Sequence, residues 1–173
     1  MTGVIIQARL NSSRLPGKVL MKLADNRTIL EWVIDRCKKS KADIVIVATP
    51  DDEIVDFCKE RNIEVFKGSE NNVLERYYKC AKKYNLDRII RVTSDCPFVK
   101  TEAIDKLIRE DEHRFEIISN PIGTGAEHIP FRLLEHCYLK NQQEREHVTT
   151  RMRDSIGYRQ KQTENYSVDT MED

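Results

Sequence analysis

The chain has 173 residues, and its 29 Lys and Arg against 29 Asp and Glu give a formal net charge of zero. That balance argues against a general nucleic-acid or polyanion binder, and 39% hydrophobic with 34% charged residues describes a soluble globule rather than a disordered chain. No apolar run approaches the roughly 20 residues that a membrane helix needs.

The length fits one domain spanning residues 1–173. Met1-Thr2-Gly3 runs straight into Val4-Ile5-Ile6 without a basic n-region. The five cysteines are odd in number, widely spaced and free of any C-x-x-C. A reduced, cytoplasmic protein is the expectation.

Val4 to Ala8 reads as a buried strand. Thr28 to Lys39 reads as a helix opened by a Thr28/Glu31 capping box, with Ile29, Leu30, Val33 and Cys37 as its apolar stripe. Ile44 to Ala48 is the next strand, and Asp52 opens a helix carrying Ile54, Val55, Phe57 and Cys58. Ile63 to Phe66 is a short strand, followed by a helix capped by Asn72 and Glu75. Arg88 to Val92 is a strand, Thr101 opens a helix, and Phe115 to Ser119 closes the series as a strand. Beyond Asn120 the pattern weakens. Phe131–Leu139 and Gln142–Met152 look helical, and Tyr158–Gln162 and Tyr166–Val168 have strand character.

Alternation of both-face-buried strands with helices predicts an α/β fold with a mostly parallel sheet and right-handed crossovers. In such sheets ligands bind beyond the carboxyl ends of the strands. The loop Gln7 to Lys18 lies there, with two arginines, a lysine, two serines, a glycine and no acidic residue. Clustered cations, hydroxyls and backbone N–H groups form a phosphate cradle. The spacing matches neither the Walker loop nor the dinucleotide glycine motif. A solvated basic loop is the other reading of the same composition.

The order of residues in this loop carries more. R-x-x-S-x-R-L-P-x-K after an I-I-Q-A strand resembles the signature of the sugar cytidylyltransferases, which include the spore coat polysaccharide biosynthesis protein F group and the acylneuraminate and 3-deoxy-manno-octulosonate enzymes. The likeness continues through Val65–Tyr77, Arg91–Pro97, Ser119-Asn120, Glu144–Thr149 and Val168–Asp173. It implies a three-layer α/β/α nucleotide-diphospho-sugar transferase fold of Rossmann-like type. It also implies a Mg²⁺-dependent transfer of CMP from CTP to a sugar acid or related sugar, with release of pyrophosphate, for surface polysaccharide.

By that resemblance Arg9, Ser12, Ser13, Arg14 and Lys18 line the triphosphate, Ala8 lies where the backbone approaches the nucleoside, and the stretch from Gly68 and Ser69 through Arg76 lies over the base. Arg9, Lys18 and Asp95 are the implied catalytic residues, since a cation beside the phosphates stabilises the departing pyrophosphate. Asp95 and Asp169 are the implied metal ligands, because hard Mg²⁺ takes carboxylate and phosphate oxygens. Read without the family, Asp95 is a turn residue, and Ser12 and Ser13 brace the backbone. Asn120, Glu127 and His147 are acceptor-side candidates. The nucleotide half covers about residues 1–120. The acceptor half, 121–173, is shortened and reads Glu127-His128-Ile129 where relatives carry Asp-Val-Glu. CTP and a small sugar are the expected partners, with no nucleic acid and no membrane, and a homodimer is expected from the family. A nucleotide-binding protein with reduced or no catalysis is the alternative, as is a nucleotidyltransferase for another nucleotide or acceptor.

Overall fold

Rows of Val and Ile alternate with amphipathic segments along the chain, and the computed structural model pairs the former into one six-stranded sheet. It describes residues 1–12, 14–109, 116–118 and 125–140, with the backbone alone for 116–118. In chain order the elements are β1 (Thr2–Gln7), α1 (Ile29–Lys38), β2 (Ile44–Thr49), α2 (Asp52–Glu60), β3 (Val65–Lys67), α3 (Val73–Lys83), β4 (Arg88–Thr93), α4 (Thr101–Arg109), β5 (Glu116–Ile118), β6 (Ala126–Pro130) and α5 (Phe131–Lys140). Two short 3-10 turns, Lys18–Leu20 and Ala24–Asn26, lie between β1 and α1.

The strand order is β3-β2-β1-β4-β6-β5. β1 pairs in parallel with β2 on one side and with β4 on the other. The chain therefore steps outward from β1 to β2 and β3, then returns to place β4 on β1's free edge. That reversal makes the carboxyl ends of β1 and β4 the switch point, where the two following loops part and leave a crevice.

Period-two alternation divides the core into two layers. Val4 and Ile6 of β1, Val47 of β2, and Ile90 and Val92 of β4 face one way, against Leu30, Val33 and Cys37 of α1, Ile54 and Cys58 of α2, and Ile104 and Leu107 of α4. Ile5, Ile46, Ala48 and Ile89 face the other way, against Val73, Leu74, Tyr77 and Ala81 of α3 and Leu134 of α5. This is the three-layer α/β/α arrangement. Each fully buried aliphatic side chain contributes roughly 1.5–3 kcal/mol, so strands apolar on both faces suit the sheet's centre. Tyr78 stacks on Phe131 and Tyr138 at centroid distances of 5.9 and 4.3 Å, which joins α3 to α5.

The predicted caps form. Thr28 Oγ1 accepts from the Glu31 N–H at 3.1 Å, and Glu31 Oε2 accepts from the Thr28 N–H at 2.7 Å. Asn72 Oδ1 accepts from the Glu75 N–H at 2.9 Å. Such caps contribute about 1 kcal/mol each.

The departure from expectation is β6. The weakening pattern after Asn120 gives no strand before Phe131, yet Ala126–Pro130 inserts antiparallel between β4 and β5. All five of its residues are buried, Glu127 and His128 among them. Two polar residues in a central strand hide it from hydrophobic periodicity; Glu127 is tolerable there because Arg91 answers its charge. Expectations for Gln142–Met152, Tyr158–Gln162 and Tyr166–Val168 fall outside the described residues.

Candidate active site

The loop leaving β1 is folded by its own backbone. The Leu10 carbonyl accepts from the Ser12 N–H at 2.9 Å and from the Gly17 N–H at 2.8 Å, closing the intervening residues into a ring. Gly17 sits at φ 72°, a left-handed conformation that suits glycine. Ser12 Oγ accepts from the Leu15 N–H at 3.4 Å, so this serine braces the turn. Leu15 is buried against Ile29, which pins the loop to the start of α1. The Leu10 N–H donates to Asp51 Oδ2 at 2.9 Å, tying the loop to the residue just before α2.

The ring delivers Lys18 to the crevice. Lys18 Nζ donates to Asp95 Oδ2 at 2.9 Å across the switch point. The lysine side chain is only 7% exposed and the aspartate 28%, so the pair lies at the floor of the crevice with the carboxylate reachable. A cleft of about 150 Å³ opens over it, lined by Gln7, Arg9, Ser12, Arg14, Lys18, Val19, Thr93, Ser94 and Asp95. Arg9 and Arg14 are exposed at its rim. Burial acts against the Asp95 charge, but the Lys18 hydrogen bond and charge outweigh it, with help from Thr93. The carboxyl is held below its ordinary value of 3.8.

The site is thus an ionised carboxylate facing three basic side chains in a polar cleft, which suits an anion together with a cation. A hard divalent ion takes one or two carboxylates plus phosphate oxygens rather than an all-protein cage. Asp95 with the neighbouring Thr93 and Ser94 hydroxyls fits that donor set. Among the described residues no group of three or more His, Cys, Asp or Glu forms a cage. Cys96 follows Asp95, and burial, with the adjacent carboxylate, pushes its thiol up to about 12, so it stays neutral.

Of the residues expected at the site, Arg9, Ser12, Arg14, Lys18 and Asp95 meet in this cleft. Ala8 is fully buried just behind it, its N–H donating to the Ala48 carbonyl at 3.1 Å. Gly68 and Ser69 form a turn after β3, beside the first loop rather than in the cleft lining. The Gly68 N–H donates to the Thr49 carbonyl at 3.0 Å, and Asn11 Nδ2 donates to Glu70 Oε1 at 3.2 Å. Glu127 is buried on β6, where Arg91 Nη1 donates to it at 2.9 Å, and it is absent from the cleft lining. Ser13, Asn120, His147 and Asp169 lie outside the described residues. Sequence reasoning did not single out Gln7, Val19, Thr93 and Ser94 as cleft residues. Gln7 ends the I-I-Q-A strand and Thr93-Ser94 precede Asp95, so adjacency to the motifs was the available signal.

The chain matches the cytidylyltransferase family over residues 3–173. It is 42% identical over 156 residues to the uncharacterised protein MJ1063 of Methanocaldococcus jannaschii, covering 84% of this chain and 64% of that protein. It is 35% identical over 165 residues to the spore coat polysaccharide biosynthesis protein SpsF of Bacillus subtilis, covering 86% and 68%. The chain therefore spans about two thirds of the length of these relatives. Among solved structures, a cytidylyltransferase from Leptospira borgpetersenii superposes with a TM-score of 0.85 at 30% identity, covering 99% of this chain and 82% of that one. A CMP:2-keto-3-deoxy-manno-octonic acid synthetase complexed with CTP has a TM-score of 0.71 at 15% identity, covering 98% and 93%, a likeness of fold.

Proposed function

The chain belongs to the cytidylyltransferase family, and on that premise we propose that it transfers CMP from CTP to a sugar acid or related sugar, releasing pyrophosphate, to supply an activated sugar for surface polysaccharide. The observation that carries this reading is the Lys18–Asp95 pair at the switch point, beneath a cleft rimmed by Arg9 and Arg14.

In the reaction an acceptor hydroxyl oxygen bonds to the α-phosphorus of CTP and gives up its proton to solvent, while the bond to the pyrophosphate oxygen breaks. Such transfer depends on positioning and charge more than on covalent help from the protein. Lys18, Arg9 and Arg14 hold the β- and γ-phosphates and stabilise the charge that grows on the leaving pyrophosphate. Asp95, kept ionised, and Asp169 are the residues that would hold Mg²⁺, which when bound supplies Lewis acidity at the α-phosphate and a lower pKa at the acceptor hydroxyl. Lys18 exchanges part of its contact with Asp95 for phosphate oxygens, so the carboxylate is released as the triphosphate arrives.

The deciding experiment measures pyrophosphate release from CTP with Mg²⁺ across a panel of eight- and nine-carbon keto acids and other sugars. Release with one acceptor class supports the transferase reading and names the sugar. CTP raising the melting temperature with no release from any acceptor would instead support a binder without turnover. Equal stabilisation by CTP and GTP would remove the pyrimidine assignment.

A further inference from the structure

Gln7 lines the cleft, yet its side-chain oxygen is taken up by a partner inside the sheet. Arg91 Nη2 donates to Gln7 Oε1 at 3.3 Å, and Nη1 of the same guanidinium donates to Glu127 Oε2 at 2.9 Å. The three residues stand on adjacent strands, β1, β4 and β6, with Arg91 directly opposite Glu127. The Gln7 backbone is held as well, because its carbonyl accepts from the Ser94 N–H at 3.0 Å. Gln7 is therefore fixed at both its main chain and its side chain where β1 and β4 reach the switch point.

A guanidinium carries donors and no acceptor. It can meet an amide only through the amide oxygen, so the Arg91 contact decides which end of the Gln7 amide lies inward. The NH₂ end is left over, and among the described residues it makes no hydrogen bond. A free glutamine can offer a ligand either its oxygen or its nitrogen, whereas this one has only N–H groups to offer. The positive charge behind the oxygen also polarises the amide and strengthens those donors. Glu127, 6% exposed, keeps the guanidinium in place. Stability alone does not ask for this arrangement: a buried ion pair can usually be exchanged for apolar side chains of similar volume at little cost, and here Arg91 Nε is buried without a partner among the described residues.

We propose that Gln7 is a specificity residue of the cleft, locked by the Arg91–Glu127 pair so that it gives N–H donors, and never its oxygen, to an anionic oxygen of the bound substrate. Arg91 and Glu127 are then positioning residues that act through Gln7. The proposal rests on the reading that the cleft takes a nucleoside triphosphate and a sugar acid. A donor-only amide belongs with the basic side chains of Arg9, Arg14 and Lys18 in the same cleft. Phosphate and carboxylate oxygens, which only accept, satisfy it equally. The two sources of such an oxygen are the triphosphate and the acceptor's carboxylate.

The test uses the full chain as wild type, Gln7→Met, Gln7→Glu and the double variant Arg91→Met with Glu127→Leu. Calorimetric titrations use inorganic triphosphate without Mg²⁺, so that a new carboxylate gains nothing by chelation, and an eight-carbon keto acid added to protein saturated with CTP and Mg²⁺. Gln7→Met should weaken one of these ligands about tenfold, as expected for loss of a hydrogen bond to a charged group. A loss confined to triphosphate assigns the donor to the phosphates, and a loss confined to the keto acid assigns it to the acceptor. Gln7→Glu, which still offers Arg91 an oxygen, should bind that ligand more weakly again, because it sets an acceptor against an anion. The double variant, which removes the lock but leaves Gln7, should weaken the same ligand about two- to tenfold through lost preorganisation. Adding Gln7→Met to the double variant should then cost clearly less than it does in wild type, a coupling that a merely structural role would not produce. The proposal fails if Gln7→Met changes neither ligand, if Gln7→Glu binds better than Gln7→Met, or if the effects of Gln7→Met and the double variant simply add. If Gln7→Met does not fold, Gln7→Glu carries the test, and wild-type affinity for both ligands would overturn the proposal. A wild-type protein that binds neither CTP nor triphosphate overturns the reading of the cleft itself, and that result appears before any variant is compared.

Discussion

Two ion pairs of the same length flank β4 and do opposite things. Lys18 and Asp95 meet at 2.9 Å beyond the strand's carboxyl end, and Arg91 and Glu127 meet at 2.9 Å within it. Asp95 keeps 28% of its side chain exposed, whereas Glu127 keeps 6%. Arg91 also donates to Gln7 Oε1 at 3.3 Å, so its fork spans three strands. Burial works against the Arg91 charge, yet Glu127 outweighs it and holds the guanidinium firmly protonated. The difference lies in what replaces a lost partner. Water and phosphate can reach Asp95, so its pair can open. Arg91 keeps 18% of its side chain exposed but Glu127 only 6%, so opening that pair would leave a carboxylate with little access to water.

The largest effect should come from breaking the closed pair. Glu127→Ala should lower unfolding free energy by about 3–5 kcal/mol in urea titrations, because Arg91 is left uncompensated. The double change Arg91→Met with Glu127→Leu should recover most of that loss. A single-variant cost below about 1 kcal/mol would make this pair equivalent to a surface one.

Opening the other pair should cost catalysis instead. Asp95→Asn should reduce pyrophosphate release by about 10²–10³-fold, a loss typical of removing a transition-state charge contact, while the melting temperature changes little. Undiminished turnover would take Asp95 out of the metal site and erase the contrast between the pairs.

A smaller effect is expected from Lys18→Ala. CTP affinity should fall about tenfold, and NMR titration of Asp95 should show its carboxyl moving back up toward the ordinary value as its main stabilising partner disappears. An Asp95 titration that does not move would mean that Thr93 and the local backbone, rather than Lys18, keep it ionised.

The smallest effect is on stability against pH. Asp95 is depressed in the folded state, so its stabilisation is fully present above the unfolded carboxyl pKa, at about pH 4. It is lost as pH falls through the lower folded value. The stability difference between wild type and Asp95→Asn should therefore be flat at neutral pH and shrink only in that acid range. A decline beginning near pH 6 would assign the linkage to another group.

The parallel half of the sheet was legible because its strands are apolar on both faces and its helices carry their caps in plain order: Thr28 with Glu31, then Asn72 with Glu75. The basic loop was legible for a different reason, since its arginines, lysine and serines follow a strand. β6 was not legible. It holds Glu127 and His128, and what allows the carboxylate inside is Arg91, 36 residues earlier in the chain. Arg76 falls in the stretch that the resemblance lays over the base; read without the family it is an ordinary helix position, and its buried bond to the Ser69 carbonyl appears only in the fold. Long-range compensation of charge leaves no periodic trace, whereas hydrophobic alternation does.

Gly17 has a stereochemical consequence. Its φ of 72° closes the ring on the Leu10 carbonyl, and a Cβ built there would meet nothing within 4 Å. The space would admit a methyl group, but the chirality of ordinary amino acids disfavours that backbone conformation by about 1–2 kcal/mol. A mirror-image alanine introduced at this position by chemical ligation should therefore fold as well as glycine or better, while its natural enantiomer should loosen the ring. The loop that presents the cations is held by handedness at one residue as much as by any contact it makes.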